Sequence, residues 1–200
     1  MSSKSRPLDS ICVFCASSNS APPQFMAAAE AFGGLLAHEG VRLVYGGGGV
    51  GLMGACARGA HAAGGRVLGV IPHFLTSHER PLGMVKTVIV DSMHARKMMM
   101  FEESDAFAVL PGAIGTLEEV IELLSWRRLG LHAKPIVFLD AEGFWDPLFT
   151  LFDHIIDQGL LPGEFRDCWR AVTQVEEILP TLRGMPTLAF TTPPGVEEMT

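Results

Sequence analysis

No apolar run in this chain approaches the roughly 20 residues that a membrane-spanning helix needs, so a membrane partner is not expected. Residues 1–8 are polar and lack the apolar core of a secretory signal. Cationic side chains are in deficit: 15 Lys and Arg stand against 22 Asp and Glu, a net charge of −7. That balance excludes the basic stripe of a protein that coats nucleic acid. Cysteine is sparse. Cys12-Val13-Phe14-Cys15 has the spacing of a metal pair, but it lies in an apparent strand and no second pair accompanies it. On an extended chain residues three apart point to opposite faces. The four cysteines, Cys12, Cys15, Cys56 and Cys168, therefore read as buried thiols of a cytoplasmic protein rather than as a zinc site. The acids and histidines are scattered, so no metal and no other cofactor is expected. The chain also lacks internal repeats, linkers and low-complexity blocks.

What it does have is hydrophobic content of 48% and 22 glycines in 200 residues, which suits one α/β domain with a large single core. Short apolar runs at residues 11–15, 41–45, 67–71, 85–90, 106–110 and 136–139 read as strands. Helical spacing fills 22–38, 52–63, 93–103, about 116–129 and 145–158, with a last strand and helix near 171–182. The stretch 73–83 is polar and reads as a loop, and the tail after Arg183, rich in Pro, Thr and Glu, as mobile. Continuous apolar strands separated by helices predict a single doubly wound, mostly parallel, Rossmann-like sheet with a core over about 9–183. Ligands of such sheets gather at the carboxyl ends of the strands.

Three of those ends carry unusual chemistry. Tyr45 is followed by Gly46-Gly47-Gly48-Gly49-Val50-Gly51-Leu52-Met53-Gly54, which contains the G-x-G-x-x-G spacing between a strand and a helix. A dinucleotide site would want an acid about 20 residues on, and that region reads Val70-Ile71-Pro72-His73, with Glu79 the first acid. A mononucleotide, a sugar phosphate, or simply a tight turn needing positive φ remain open. The second end is Asp91-Ser92-Met93-His94-Ala95-Arg96-Lys97, where Asp91 or Ser92 should cap a helix whose first turns carry cations. Cations there oppose the helix dipole, which points either to a held anion or to a solvated basic end.

The third end is Leu110-Pro111-Gly112-Ala113-Ile114-Gly115-Thr116-Leu117-Glu118-Glu119. A strand that turns through glycines onto a helix start presents free backbone N–H groups and a positive dipole end, a natural phosphate seat. Thr116-x-x-Glu119 also matches a capping box, with Thr as N-cap and Glu at the third helical position. A Glu at a helix start near Arg96 should have its charged form favoured, and so act as base or cation stabiliser.

Together, the run from Val44 to Gly54, Met93-His94-x-Arg96-Lys97 and Pro111-Gly112-x-x-Gly115-Thr116-x-x-Glu119 resemble the LOG (LONELY GUY) family over about residues 11–161. These are cytokinin riboside 5′-monophosphate phosphoribohydrolases, often mislabelled lysine decarboxylases. The resemblance implies a Rossmann-like homodimer that hydrolyses the N-glycosidic bond of AMP-like nucleotides, releasing a free base and ribose 5-phosphate. By position it implies that Arg96 and Glu119 are the catalytic pair. It also implies substrate contacts from Gly47, Gly48, Glu79, Met93, Lys97, Gly112, Ala113, Ile114, Gly115 and Thr116, and from Ser125, where plant members commonly have Thr. The motif's second glycine is Ala113 here; a methyl group would weaken binding at positive φ and matter little at ordinary φ.

On this reading phosphate sits on the 112–116 turn aided by Lys97, and ribose lies between Arg96 and Glu119. Glu119 stabilises the positive charge that builds on the sugar and takes the proton of the attacking water. No residue of the sequence stands out to protonate the leaving base. The competing class is a nucleotide or molybdenum-cofactor carrier, which would bind without turnover.

Overall fold

The computed structural model describes residues 8–186. Strand and helix alternate along it: β1 (Ser10–Phe14), α1 (Pro23–His38), β2 (Arg42–Tyr45), α2 (Gly51–Ala62), β3 (Val67–Pro72), α3 (Thr76–Glu79), β4 (Lys86–Val90), α4 (Met93–Glu102), β5 (Ala106–Val109), α5 (Ile114–Arg128), β6 (Ile136–Leu139), α6 (Asp146–Asp157), β7 (Arg170–Val172) and α7 (Ile178–Gly184). The seven strands form one sheet in the order β4-β3-β2-β1-β5-β6-β7, and every pairing is parallel. The fold is therefore α/β and Rossmann-like, with a sheet wholly rather than mostly parallel.

The strands are apolar on both sides because both sides are covered. Within β1, Ile11 and Val13 pack into a core shared with α1, α2 and α7, while Cys12 and Phe14 pack into a second core with α4, α5 and α6. The period-2 alternation of side chains divides the strand between the two layers. Cys12 and Cys15 accordingly fall in opposite cores, and all four cysteines are buried and unbridged. No helix among the described residues is long and apolar enough to cross a membrane.

The strand order creates the site. From β1 the chain steps outward through β2 and β3 to β4, then returns to lay β5 on the other side of β1. The segments leaving β1 and β5 diverge and open a crevice at their carboxyl ends. The two strand ends are stitched together by Leu110 N–H to Phe14 O at 2.9 Å and Ala16 N–H to Pro111 O at 3.1 Å.

Two expectations change. Residues 73–83 are not simply a loop: a 3₁₀ turn at His73–Leu75 leads into the single-turn α3. The polarity of the stretch reflects solvent exposure, which short surface helices share with loops. Helix α5 starts at Ile114, two residues ahead of Thr116. The expected mobility of the tail concerns residues that, from 187 onward, lie outside the described ones.

Candidate active site

Helix α4 delivers Arg96. Ser92 is its N-cap, its hydroxyl accepting the Ala95 N–H at 3.1 Å, so the choice between Asp91 and Ser92 falls to the serine. Arg96 is buried, at 6% exposure, and its Nη2 donates to Gly46 O at 3.0 Å. A Cβ at position 46 would stand 2.0 Å from that nitrogen, so only glycine after β2 lets the guanidinium lie against the backbone. Nη1 reaches Met93 Sδ at 3.8 Å and Glu119 Oε1 at 3.9 Å, while Nε takes no protein partner. A buried cation with a spare donor has been desolvated without full repayment by the protein.

Helix α5 delivers the other half. Its N-cap is Ala113, extended at φ −104°, with no side-chain cap. Thr116 is thus the third helical residue and Glu119 the sixth, and the capping box expected from Thr116-x-x-Glu119 does not form. Thr116 is instead turned inward at 3% exposure and packed on Gly112, where a Cβ would meet its Oγ1 at 2.2 Å. Ala113 lies at ordinary φ, so its methyl group carries no backbone strain. The amides of Ile114, Gly115 and Thr116 open the helix and have no intrahelical acceptor. Nothing lies within 4 Å of where a Cβ on Gly115 would be.

The glycine-rich start of α2 is different. Gly49 N–H donates to Glu79 O at 2.7 Å, Gly51 N–H to Asn19 Oδ1 at 2.8 Å and Met53 N–H to Ala16 O at 3.3 Å. Gly47 adopts φ +80° and nestles on Ile71 and Val70 of β3. Three amides of this turn are spent on the protein itself. Of the two glycine-marked helix starts, α5 is the one whose first-turn amides face the cleft without a side-chain cap.

Two carboxyls face Arg96 across a cleft of about 90 Å³. The Glu119 side chain is 10% exposed, and burial pushes its pKa up to about 7 despite the pull of Arg96. The expectation that its charged form is favoured is thereby corrected: burial outweighs Arg96, and a small hollow on its other side is lined by Phe14, Phe101, Phe107 and Trp126 together with Lys97 and Glu122. Glu79, at the end of α3, is also raised by burial against the pull of Arg96, and its Oε2 is buried without a partner. Gly48 leaves the room it occupies, and Arg80 just beyond is held left-handed at φ +45°. Such a conformation costs about 1 kcal/mol or more in a residue with a Cβ.

The cleft brings together Glu79, Met93, Arg96, Ala113, Gly115, Thr116 and Glu119. It does not include Gly47 or Gly48, which shape the turn beneath Glu79, nor Gly112, which seats Thr116. Ile114 stands at its mouth, 81% exposed. Lys97 turns away from it onto Glu118 and Glu122. Ser125 is exposed far along α5, about 13 Å from Thr116 by the rise of a helix. Sequence reading missed Cys15, Ala16, Ser17 and Met53 in the lining. Ser17 follows β1, and the signal for it is the crossover that puts β1 beside β5.

The family described as "possible lysine decarboxylase" matches residues 53–182. The cytokinin riboside 5′-monophosphate phosphoribohydrolase LOG7 of Arabidopsis thaliana is 44% identical over 154 residues, 76% of this chain and 70% of the relative. The rice protein (Oryza sativa subsp. japonica) named probable cytokinin riboside 5′-monophosphate phosphoribohydrolase LOGL5 is 43% identical over 172 residues, 84% and 69% of the two chains. The chain belongs to the LOG family. Among solved structures, the molybdenum cofactor binding protein of Rippkaea orientalis superposes with a TM-score of 0.66 at 22% identity, over 88% of this chain and 96% of the other. The molybdenum cofactor carrier protein of Chlamydomonas reinhardtii does so with 0.66 at 21%, with the same coverage. At such identities these two likenesses establish the LOG family member's fold and no more.

Proposed function

We propose that this LOG-family chain is a cytoplasmic phosphoribohydrolase that cleaves the N-glycosidic bond of AMP-like nucleoside 5′-monophosphates, cytokinin riboside monophosphates among them. The observation that carries the proposal is the open first turn of α5 in the same cleft as Arg96 and Glu119. The amides of Ile114, Gly115 and Thr116 receive the phosphate, helped by the dipole of α5. Arg96, anchored on Gly46 O, keeps Nη1 toward the cleft for sugar or phosphate oxygens.

The bond that breaks is C1′–N and the bond that forms is C1′–O. Positive charge builds on the ribose in between. The ionised form of Glu119 stabilises it and takes one proton from the attacking water, worth about 10²–10⁴-fold. The departing base needs a proton in return. Glu79, the second carboxyl in the cleft, is the group placed to supply it. Solvent then resets both carboxyls, so the sum is nucleotide plus water giving base plus ribose 5-phosphate.

The competing carrier reading gains nothing from Ala113, the departure from the family's glycine motif, because that residue lies at ordinary φ. The deciding experiment incubates the protein with AMP and with its N6-isopentenyl analogue and follows free base and ribose 5-phosphate. Stoichiometric release at a catalytic rate is the expected result. Tight binding of either nucleotide with no free base formed overturns the enzyme in favour of the carrier.

A further inference from the structure

The catalytic cleft does not end at the start of α5. On the other side of the 111–113 turn lies a hollow of about 230 Å³, against about 90 Å³ for the cleft. Ala16 and Ala113 line both, and Ala113 is the residue from which α5 starts. A phosphate on the first amides of α5 therefore has the sugar on one side and this hollow on the other.

The chemistry of the hollow is the reverse of the cleft's. Its outer walls are Ala21, Pro22, Phe25, Leu52 and Phe144, and no residue lining it has a charged or hydrogen-bonding side chain. Phe25 and Phe144 meet edge to face at 5.5 Å, and Phe144 stays 37% exposed. Helix α1 begins here, yet its start is poor in donors. Pro22 and Pro23 carry no N–H, and the amides of Phe25 and Met26 are spent on Pro22 O. The Gln24 side chain turns aside to Glu142 Oε2 at 3.1 Å. The loop that brings Phe144 adds Asp140, Glu142 and Asp146, and no cation.

We infer that this hollow reads what hangs on the far side of the phosphate: it accepts an apolar ester group and rejects a second phosphate. The ligand class of the site is then a 5′-monophosphate or an apolar phosphodiester of one, and not a diphosphate. A second phosphate carried into the hollow would lose its water and find no donor in exchange. An aromatic ring loses nothing there, and an apolar cavity of about 150 Å³ is enough to hold benzene. The inference deepens the function proposed above and rests on its phosphate seat.

Calorimetry on the full chain tests it without turnover. The probes are ribose 5-phosphate, its methyl and phenyl phosphodiesters, and ribose carrying a 5-diphosphate. The two esters have the same charge, so the ratio of their affinities isolates the hollow. The phenyl ester should bind about tenfold or more tighter than the methyl ester. The diphosphate should bind about tenfold or more weaker than ribose 5-phosphate. Ala21→Trp, which fills the hollow, should bring the phenyl-to-methyl ratio to about one. If that variant does not fold, Phe144→Ala, which removes a wall, should cut the ratio by about threefold or more. A phenyl ester no tighter than the methyl ester overturns the inference and leaves the phosphate seat in place. So does a diphosphate as tight as ribose 5-phosphate, or a folded variant that keeps the parent's ratio. Ribose 5-phosphate that does not bind at all removes the seat itself, and the role of the hollow with it.

Discussion

Arg96 Nη1 and Glu119 Oε1 stand 3.9 Å apart, close enough to attract and too far to share a hydrogen bond. The gap leaves the Glu119 carboxyl unclaimed, and its burial pushes the pKa up to about 7. Because the ionised form acts as the base, kcat/KM should rise as pH passes through about 7. A pH–rate profile on AMP checks this; a flat profile from pH 6 to 8 contradicts it.

The same burial has a signed effect on stability. The folded-state pKa of Glu119 lies near 7, above the ordinary 4.5, so between those values the native state holds the proton more tightly than the unfolded chain does. Its contribution is therefore fully present below about pH 4.5 and lost as pH rises through about 7, at most on the order of 3 kcal/mol. Glu119→Gln removes that dependence. The variant should lose roughly 10²–10⁴-fold in kcat while unfolding at a higher temperature than the parent at pH 8. An amide that destabilises the protein at pH 8 would mean Glu119 holds the fold together through contacts its carboxylate alone can make.

Gly115 tests the phosphate seat without touching a side chain. A methyl group there meets no protein atom within 4 Å, and alanine is the better helix former by about 1 kcal/mol. Gly115→Ala should therefore keep or raise the melting temperature while weakening ribose 5-phosphate binding by about tenfold or more, since the added methyl lies beside amides assigned to phosphate. Calorimetry and a thermal melt on one preparation decide it. Unimpaired binding would move the phosphate elsewhere.

These residues also mark how far the sequence could be read. The sheet was legible because strands such as Ala106–Val109 are buried on both faces and so carry unbroken apolar runs. Arg96, Glu119 and Gly115 were legible because a glycine turn and misplaced cations at helix starts are written in residue types. The start of α5 was not, since its cap at Ala113 is purely a backbone conformation and leaves no side-chain signature. The charge state of Glu119 was hidden as well: it depends on Phe14 and Phe107, strand residues that only the folded sheet brings behind it. Lys97 shared a motif with Arg96, but one step along a helix turned it to a different face. Ser125 was carried by position in the chain alone, and it lies exposed along α5, outside the lining of the cleft.

Gly46 reports on the seat of Arg96. A Cβ there would fall 2.0 Å from Arg96 Nη2, the far end of a flexible side chain that can swing aside. Gly46→Ala should therefore fold, with a melting temperature within a few degrees of the parent, yet lose about 10²-fold in kcat as the guanidinium is displaced. Retained activity would show that Arg96 acts from a different position than the one Gly46 O defines.

Glu79 is the group assigned to the leaving base, and the leaving group itself can question it. Adenine departs poorly unless protonated, whereas 4-nitrophenolate departs well without a proton. Glu79→Gln keeps the shape of the side chain under Gly48 but cannot give up a proton at neutral pH. It should slow adenine release from AMP by about 10²-fold or more, and leave hydrolysis of 4-nitrophenyl ribose 5-phosphate within a few-fold of the parent. The ratio of the two rates cancels any general damage to folding or to the phosphate seat, because both substrates need those equally. Equal losses on both would assign Glu79 to binding the sugar and leave the proton to come from solvent.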